Sequence, residues 1–182
     1  MRNIFLIVFV LLFGACSSKE LYTLGDRIEV SKPKKDSREF IAVEKIELPT
    51  YFMDSQIYVK KNPYHLQKVE KANWISDIDV HLTNVLISYL QKAQNNPNIY
   101  PYPWSNIKKI DKKISVKITN FISYNGEVTL NATYEILDKT KRKTSNYFFS
   151  TKEKVEGESI EKMIEAMERA FFRLAEDINQ KI

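Results

Sequence analysis

The apolar positions of this chain change their spacing several times, and each change predicts an element. Phe40 to Leu48 alternates, with Ile41 and Val43 on one face and Ala42 and Ile46 on the other, and Pro49 stops it as a ladder strand. Gln56 to Lys60 and Tyr64 to Lys68 predict two more short strands around an Asn62-Pro63 turn. Ile78, Leu82, Val85, Leu86, Tyr89 and Leu90 then recur at three and four, the stripe of an amphipathic helix. Ser76 and Asp79 form a cap-like pair before it, and Asn95-Asn96-Pro97 ends it. Tyr100 to Trp104, with two prolines among three aromatics, predicts an extended edge or loop.

The clearest sheet signal follows. Ile114, Val116 and Ile118 alternate, as do Val128, Leu130, Ala132, Tyr134 and Ile136. Asn125-Gly126 between them favours two residues at positive φ and hence a tight hairpin. After a charged turn from Asp138 to Lys143, Tyr147 to Thr151 returns as a third strand of an antiparallel meander. Ser159 caps a second long helix, whose stripe is Ile160, Met163, Ile164, Met167, Phe171, Leu174, Ile178 and Ile182. Glu161, Glu165, Glu168, Arg169 and Glu176 flank or oppose that stripe. The sum predicts an α+β domain, an antiparallel or mixed sheet with two long amphipathic helices packed on one face.

The N-terminus departs from this pattern. Arg2 precedes an apolar run from Ile4 to Ala15, and Leu12-Phe13-Gly14-Ala15 leads into Cys16, the single cysteine. Small residues before a cysteine at the end of such a run read as a lipoprotein signal. The run is too short for the roughly 20 residues of a transmembrane helix. Residues 1–15 are therefore expected to be a signal peptide, and Cys16 the mature N-terminus carrying acyl chains, palmitate among them. Residues 16–38 read as a lipidated start and flexible tether, with Leu21-Tyr22-Thr23-Leu24-Gly25 as an apolar island suited to a sheet edge or a partner. Residues 39–182 read as one domain.

Composition agrees with a folded, exported body. Apolar residues make up 43% and aromatics 12%, globular values. With Cys16 acylated no disulfide is available, so the core alone must hold the fold. The formal charge of +5, mixed in sign along the chain, gives no field that argues for nucleic acid.

Candidate chemistry is sparse. The two histidines, His65 and His81, lack ligand partners at metal spacing. Four glycines do not build a phosphate-cradling loop, and no serine lies in a Gly-x-Ser-x-Gly setting. No enzyme, metal or cofactor is expected. Three features suit binding. Lys141, Arg142 and Lys143, with Lys139, make a basic turn: a solvated hairpin tip, or a contact for lipid phosphate or an acidic partner. Tyr51, Phe52 and Met53 place large apolar side chains in a connection, where core packing and a partner surface stand equally open. Tyr102 and Trp104 in the proline-rich stretch share that ambiguity.

In this order the motifs resemble the PqiC-like (YmbA-type) auxiliary lipoproteins of ABC-type and Mce-type lipid transport systems. The resemblance rests on the Cys16 lipobox, Tyr22-Thr23-Leu24, Val43 to Pro49 and Tyr51-Phe52-Met53-Asp54-Ser55-Gln56-Ile57. It continues through Asn73-Trp74, the helical leucines, Pro103-Trp104, the strand at Phe121, Val128 to Tyr134 and the C-terminal helix. Asn73 and Ser76 stand where that family often has an arginine and an acidic residue. The resemblance implies a non-enzymatic accessory on the periplasmic face of a Gram-negative membrane, with an Mce-domain protein and a permease and ATPase as partners. A homo-oligomer would suit docking on a symmetric tunnel. Ser17, rather than Asp, after the cysteine favours the outer membrane. A stand-alone lipid-binding module and a structural envelope lipoprotein are the alternatives, with a surface hydrolase behind them.

Overall fold

The fold is given by a computed structural model that describes residues 19–25, 30, 38–75, 77–104 and 109–182. The signal run, Cys16, Ser17 and Ser76 lie outside the described residues. The strands are β1 (Glu20–Tyr22), β2 (Ile41–Glu44), β3 (Gln56–Asn62), β4 (His65–Trp74), β5 (Ile99–Tyr102), β6 (Lys112–Tyr124), β7 (Glu127–Asp138) and β8 (Lys143–Lys154). The helices are α1 (Ile78–Gln94) and α2 (Ile160–Lys181), with a 3-10 turn at Thr50–Phe52. Together they make a mixed α+β fold on an open eight-stranded sheet.

The meander is its frame. β6 pairs antiparallel with β7, and β7 with β8, along almost their whole lengths. Asn125 (φ 50°) and Gly126 (φ 74°) close the first hairpin, as their residue types predict. A bulge between Ile118 and Asn120 shifts the register by one, so Phe121 takes the inward place that Asn120 would otherwise hold.

The other edge of β6 is shared. β2 runs parallel to its start, with Ile41 opposite Lys112, and β3 runs parallel to its end, with Val59 opposite Ser123. β5 extends the sheet beyond β2; β4 and then β1 extend it beyond β3. β6 has 13 residues, about 40 Å of strand. The sheet therefore has two ends. One holds β2, β5 and the β7–β8 turn; the other holds the β3–β4 hairpin and the Asn125–Gly126 turn.

Ile114, Val116, Ile118, Val128, Leu130, Ala132 and Ile136 are buried, while their neighbours Lys117, Thr133 and Phe148 are exposed. α2 contacts β6, β7 and β8; α1 contacts β2, β5 and α2. The stripe residues Leu82, Val85, Leu86, Tyr89 and Leu90 of α1 and Met163, Met167, Phe171, Leu174 and Ile178 of α2 belong to one buried cluster. Two buried polar groups of the helices tie elements together: Gln94 Nε2 donates to Asn179 Oδ1 at 2.6 Å between the helices, and Thr83 Oγ1 accepts the Ile46 N–H at 3.0 Å.

Four expectations change. The strand expected over Phe40–Leu48 spans only Ile41–Glu44, with an isolated bridge at Glu47, because the Ile46 N–H turns to Thr83 of α1 instead of a ladder partner. The strand predicted at Tyr64–Lys68 runs from His65 to Trp74, because pairing with β3 and β1 carries the polar stretch Gln67–Lys71 that has no apolar period of its own. Of the Ser76/Asp79 pair expected to cap α1, Ser76 lies outside the described residues. Asp77 is the N-cap of the helix, left-handed and without a side-chain cap bond, and Asp79 instead pairs with Lys45 at 2.8 Å. The apolar island of the tether is part of the folded body. β1 pairs in parallel with Ala72–Trp74, and Leu24 is buried.

Candidate functional site

The end of the sheet at the start of β6 gathers exposed aromatics and cations. In the β2–β5 register Ala42 lies opposite Tyr100 and Glu44 opposite Tyr102, so both tyrosines share one face of an edge strand. After the cis Tyr102–Pro103 bond Trp104 turns back, its ring 5.7 Å from that of Tyr100. Phe40, Ala42, Tyr100, Tyr102, Trp104 and Ile110 line a cleft of about 220 Å³. Tyr102 is 41% and Trp104 48% exposed, so half of each ring is free to meet another surface.

The cleft has a charged border. Lys113 Nζ lies 2.9 Å from Glu44 and 5.5 Å from the centroid of the Tyr102 ring, within cation–π range. The Ser115 hydroxyl, followed by Lys113, holds the Glu44 carboxyl below its ordinary value against burial. Asp111 joins the cleft to the basic turn. Its carboxylate accepts the Phe40 N–H at 2.9 Å, and its carbonyl accepts the Lys139 N–H at 2.8 Å. The Phe40 N–H first, and then Lys109, keeps the Asp111 carboxyl low.

The turn itself is built on Asp138. Its carboxylate accepts the Thr140 hydroxyl at 2.6 Å and the Lys141 N–H at 2.9 Å. These two donors, Thr140 first, bring its pKa down to about 2. Lys139, Lys141, Arg142 and Lys143 are all exposed, and Lys141 also reaches Asp138 at 3.5 Å. Arg142 stands at φ 52°. The turn is thus fixed by a buried acid while its cations face water.

The structure brings Tyr102, Trp104, Lys141, Arg142 and Lys143 to one end of the sheet and separates them from Tyr51, Phe52 and Met53. Phe52 is buried between Trp74 and Phe121, with ring centroids at 5.7 and 6.0 Å, so core packing takes this ring off the surface. Tyr51 is half-buried and its hydroxyl accepts the Phe121 N–H at 2.8 Å. Of the three only Met53 is exposed, at 71%.

Sequence reasoning marked the stretch from Tyr100 to Trp104 and passed over Phe40, Ile110 and Asp111. The spacing of Tyr100 and Tyr102 by two was the available signal; nothing local marks Asp111, which acts through partners far along the chain. His65 is exposed on β4. His81 bonds the N-terminal segment, its Nε2 2.6 Å from the Leu24 carbonyl.

Among the described residues no helix is long and apolar enough to cross a membrane, and no three His, Cys, Asp or Glu side chains gather as a metal site. The arrangement suits contact: aromatic edges, an apolar cleft and a cationic turn at one end.

Solved structures share the fold. The crystal structure of an uncharacterized protein superimposes with a TM-score of 0.72 at 15% identity, covering 90% of this chain and 98% of its own. A Xanthomonas campestris protein of family DUF330 gives a TM-score of 0.71 at 15% identity, covering 88% and 92%. The PelC dodecamer from Paraburkholderia phytofirmans, with a TM-score of 0.46 and 9% identity over 79% and 92%, is too distant to carry an argument. No curated protein matches the sequence. The family model described as the ABC-type transport auxiliary lipoprotein component matches residues 22–179, and the chain belongs to that family.

Proposed function

We propose that this protein is a non-enzymatic periplasmic accessory of a lipid transporter, anchored through acyl chains on Cys16 and docking to an Mce-domain partner. The outer membrane is its proposed site, on the strength of Ser17. The observation that carries the docking reading is the half-exposed pair Tyr102 and Trp104, beside the basic turn at Lys141–Lys143. Aromatic anchors and arginine are enriched at protein contact surfaces, and lysines at the rim steer an acidic partner. Tyr102 and Trp104 stand at the opposite end of the sheet from the β3–β4 hairpin, beside which the N-terminal strand pairs. A partner arriving from across the periplasm would meet them first.

The stand-alone lipid-carrier reading draws less support. The cleft at Tyr102 and Trp104 holds about 220 Å³, and the larger depression of about 470 Å³ across β2, β6 and β7 is lined by Glu44, Lys45, Glu47, Lys117 and Glu135, charged groups that do not suit acyl chains.

The test is an affinity pull-down of the full-length, lipidated protein from detergent-solubilised envelopes, with Cys16→Ala as control. Recovery of an Mce-domain protein or its permease with the wild-type chain is the expected outcome. Recovery of peptidoglycan or barrel-assembly proteins alone, or of nothing, would contradict it.

A further inference from the structure

The first packed strand begins very close to the proposed anchor. Only Ser17, Ser18 and Lys19 separate Cys16 from Glu20, a reach of about 13 Å when fully extended. β1 is held in place at Glu20–Tyr22 by Ala72–Trp74, so the acylated residue must lie within that radius of the sheet edge. The bilayer surface therefore comes close to this edge whatever path the chain takes.

The element there is the β3–β4 hairpin. β1 is parallel to β4, so the chain entering β1 comes from the side of Lys71 and the hairpin tip. From Ala72 back to His65 is about 23 Å of strand, further than the anchor can reach. The tip consequently lies at or beyond the level of the anchor when the strands point toward the bilayer. Its last residues are exposed on both faces, from Lys61 to Lys68. Tyr64 is 98% and Leu66 39% exposed. Lys60, Lys61, Lys68 and Lys71 stand on the same ribbon, and none of them forms a salt bridge among the described residues. Glu70 on the ribbon and Glu158 beside Val59 and Val69 offset part of this charge. Asp54, near Lys68, and Glu20, opposite Ala72, offset more of it, but the tip itself, from Lys60 to Lys68, carries three lysines and no acid.

We infer that the β3–β4 hairpin is a second membrane contact, lying against the anionic headgroups of the bilayer that holds the Cys16 acyl chains. The proposal rests on the anchor reading at Cys16. A tyrosine at the tip suits the interface between headgroups and water, and lysines suit lipid phosphate. The acyl chains of Cys16 supply stable attachment by themselves, and the hairpin adds a weaker contact beside them. It also fixes orientation: the aromatic cleft is turned away from this membrane.

The experiment uses the full lipidated chain. With Cys16 thioether-linked no free thiol remains, so His65→Cys provides a single spin-label site beside an intact Tyr64. The lipidated protein is reconstituted into vesicles of phosphatidylethanolamine and phosphatidylglycerol. Label depth is read from collision with oxygen against a water-soluble nickel chelate. The expected result is a label at headgroup depth, while a label from Phe148→Cys stays in water. Lys61→Glu with Lys68→Glu, both exposed, should lift the His65 label into water on these vesicles, each charge being worth roughly fivefold in surface partition. Equal water exposure of the two labels on an attached chain would overturn the hairpin contact and leave the anchor standing. A chain that carries no acyl group and does not float with the vesicles would overturn the anchor reading and the hairpin contact with it.

Discussion

The Nε2 of His81 lies 2.6 Å from the carbonyl oxygen of Leu24 and 2.7 Å from Thr23 Oγ1. A carbonyl only accepts, so Nε2 carries the proton in this contact. α2 completes the latch: Glu168 accepts the Gly25 N–H at 2.8 Å, and Glu161 accepts the Tyr22 hydroxyl at 3.2 Å. Both helices thus hold the segment that links the proposed anchor to the body.

Gly25 is where this latch is most easily broken. It sits at φ 98°, and an added Cβ would come 2.4 Å from Val85 Cγ2. Gly25→Ala should undock the segment at a cost of about 1–3 kcal/mol. The reporter is the Ile75 N–H, which donates to the Tyr22 carbonyl at 2.9 Å; its hydrogen exchange should speed up while exchange in the β6–β7 ladder stays slow.

Neighbours in the Tyr51–Met53 connection should behave oppositely. Phe52→Ala removes a ring from between Trp74 and Phe121 and should cost about 3–5 kcal/mol. Met53→Ala, at an exposed position, should stay within about 0.5 kcal/mol. Urea unfolding of the two variants measures both.

The basic turn should lose its order in acid. The folded Asp138 pKa is about 2, below the roughly 3.9 of an unfolded aspartate. The contribution of a depressed carboxyl is complete above the unfolded value and is lost as pH falls through the folded one. The window is therefore about pH 4 down to pH 2. The Lys141 amide resonance should move across that window, and Asp138→Asn should remove this dependence.

Docking should depend on the cleft and not on stability. Trp104→Ala and Tyr102→Ala should each lower capture of the transport partner tenfold or more, the scale of about 1.4 kcal/mol or above at an aromatic anchor, with thermal midpoints near wild type. Lys141→Ala with Arg142→Ala should chiefly slow association and reduce its salt dependence. Surface capture kinetics with the full-length protein separates the two effects.

The parts of the fold legible in the sequence are those set by local periodicity. Val128 to Ile136 alternates and Asn125-Gly126 turns, so the meander can be read directly; the leucine and methionine stripes mark both helices. The lengths and partners of the remaining strands depend on contacts distant in sequence. Gln67 to Lys71 has no period, and it becomes strand because β3 and β1 flank it. The docking of Leu24 rests on His81, which follows it by 57 positions. At the site, Tyr102 and Trp104 stand out as aromatics in a proline-rich stretch. Phe52 looks the same in sequence and lies in the core, because burial of a loop aromatic is decided by the strands beneath it. Asp111, which joins the cleft to the basic turn, carries no local signature at all.

The central claim is that the two ends of the sheet face different neighbours, the bilayer at the β3–β4 hairpin and a transport partner at the β5 cleft. Photo-crosslinking in intact cells tests it most directly, with a benzophenone amino acid placed at Trp104 in one strain and at Tyr64 in another. The account predicts a protein adduct containing an Mce-domain partner from position 104 and a lipid adduct from position 64. Protein adducts to that partner from position 64, with position 104 silent, would contradict it.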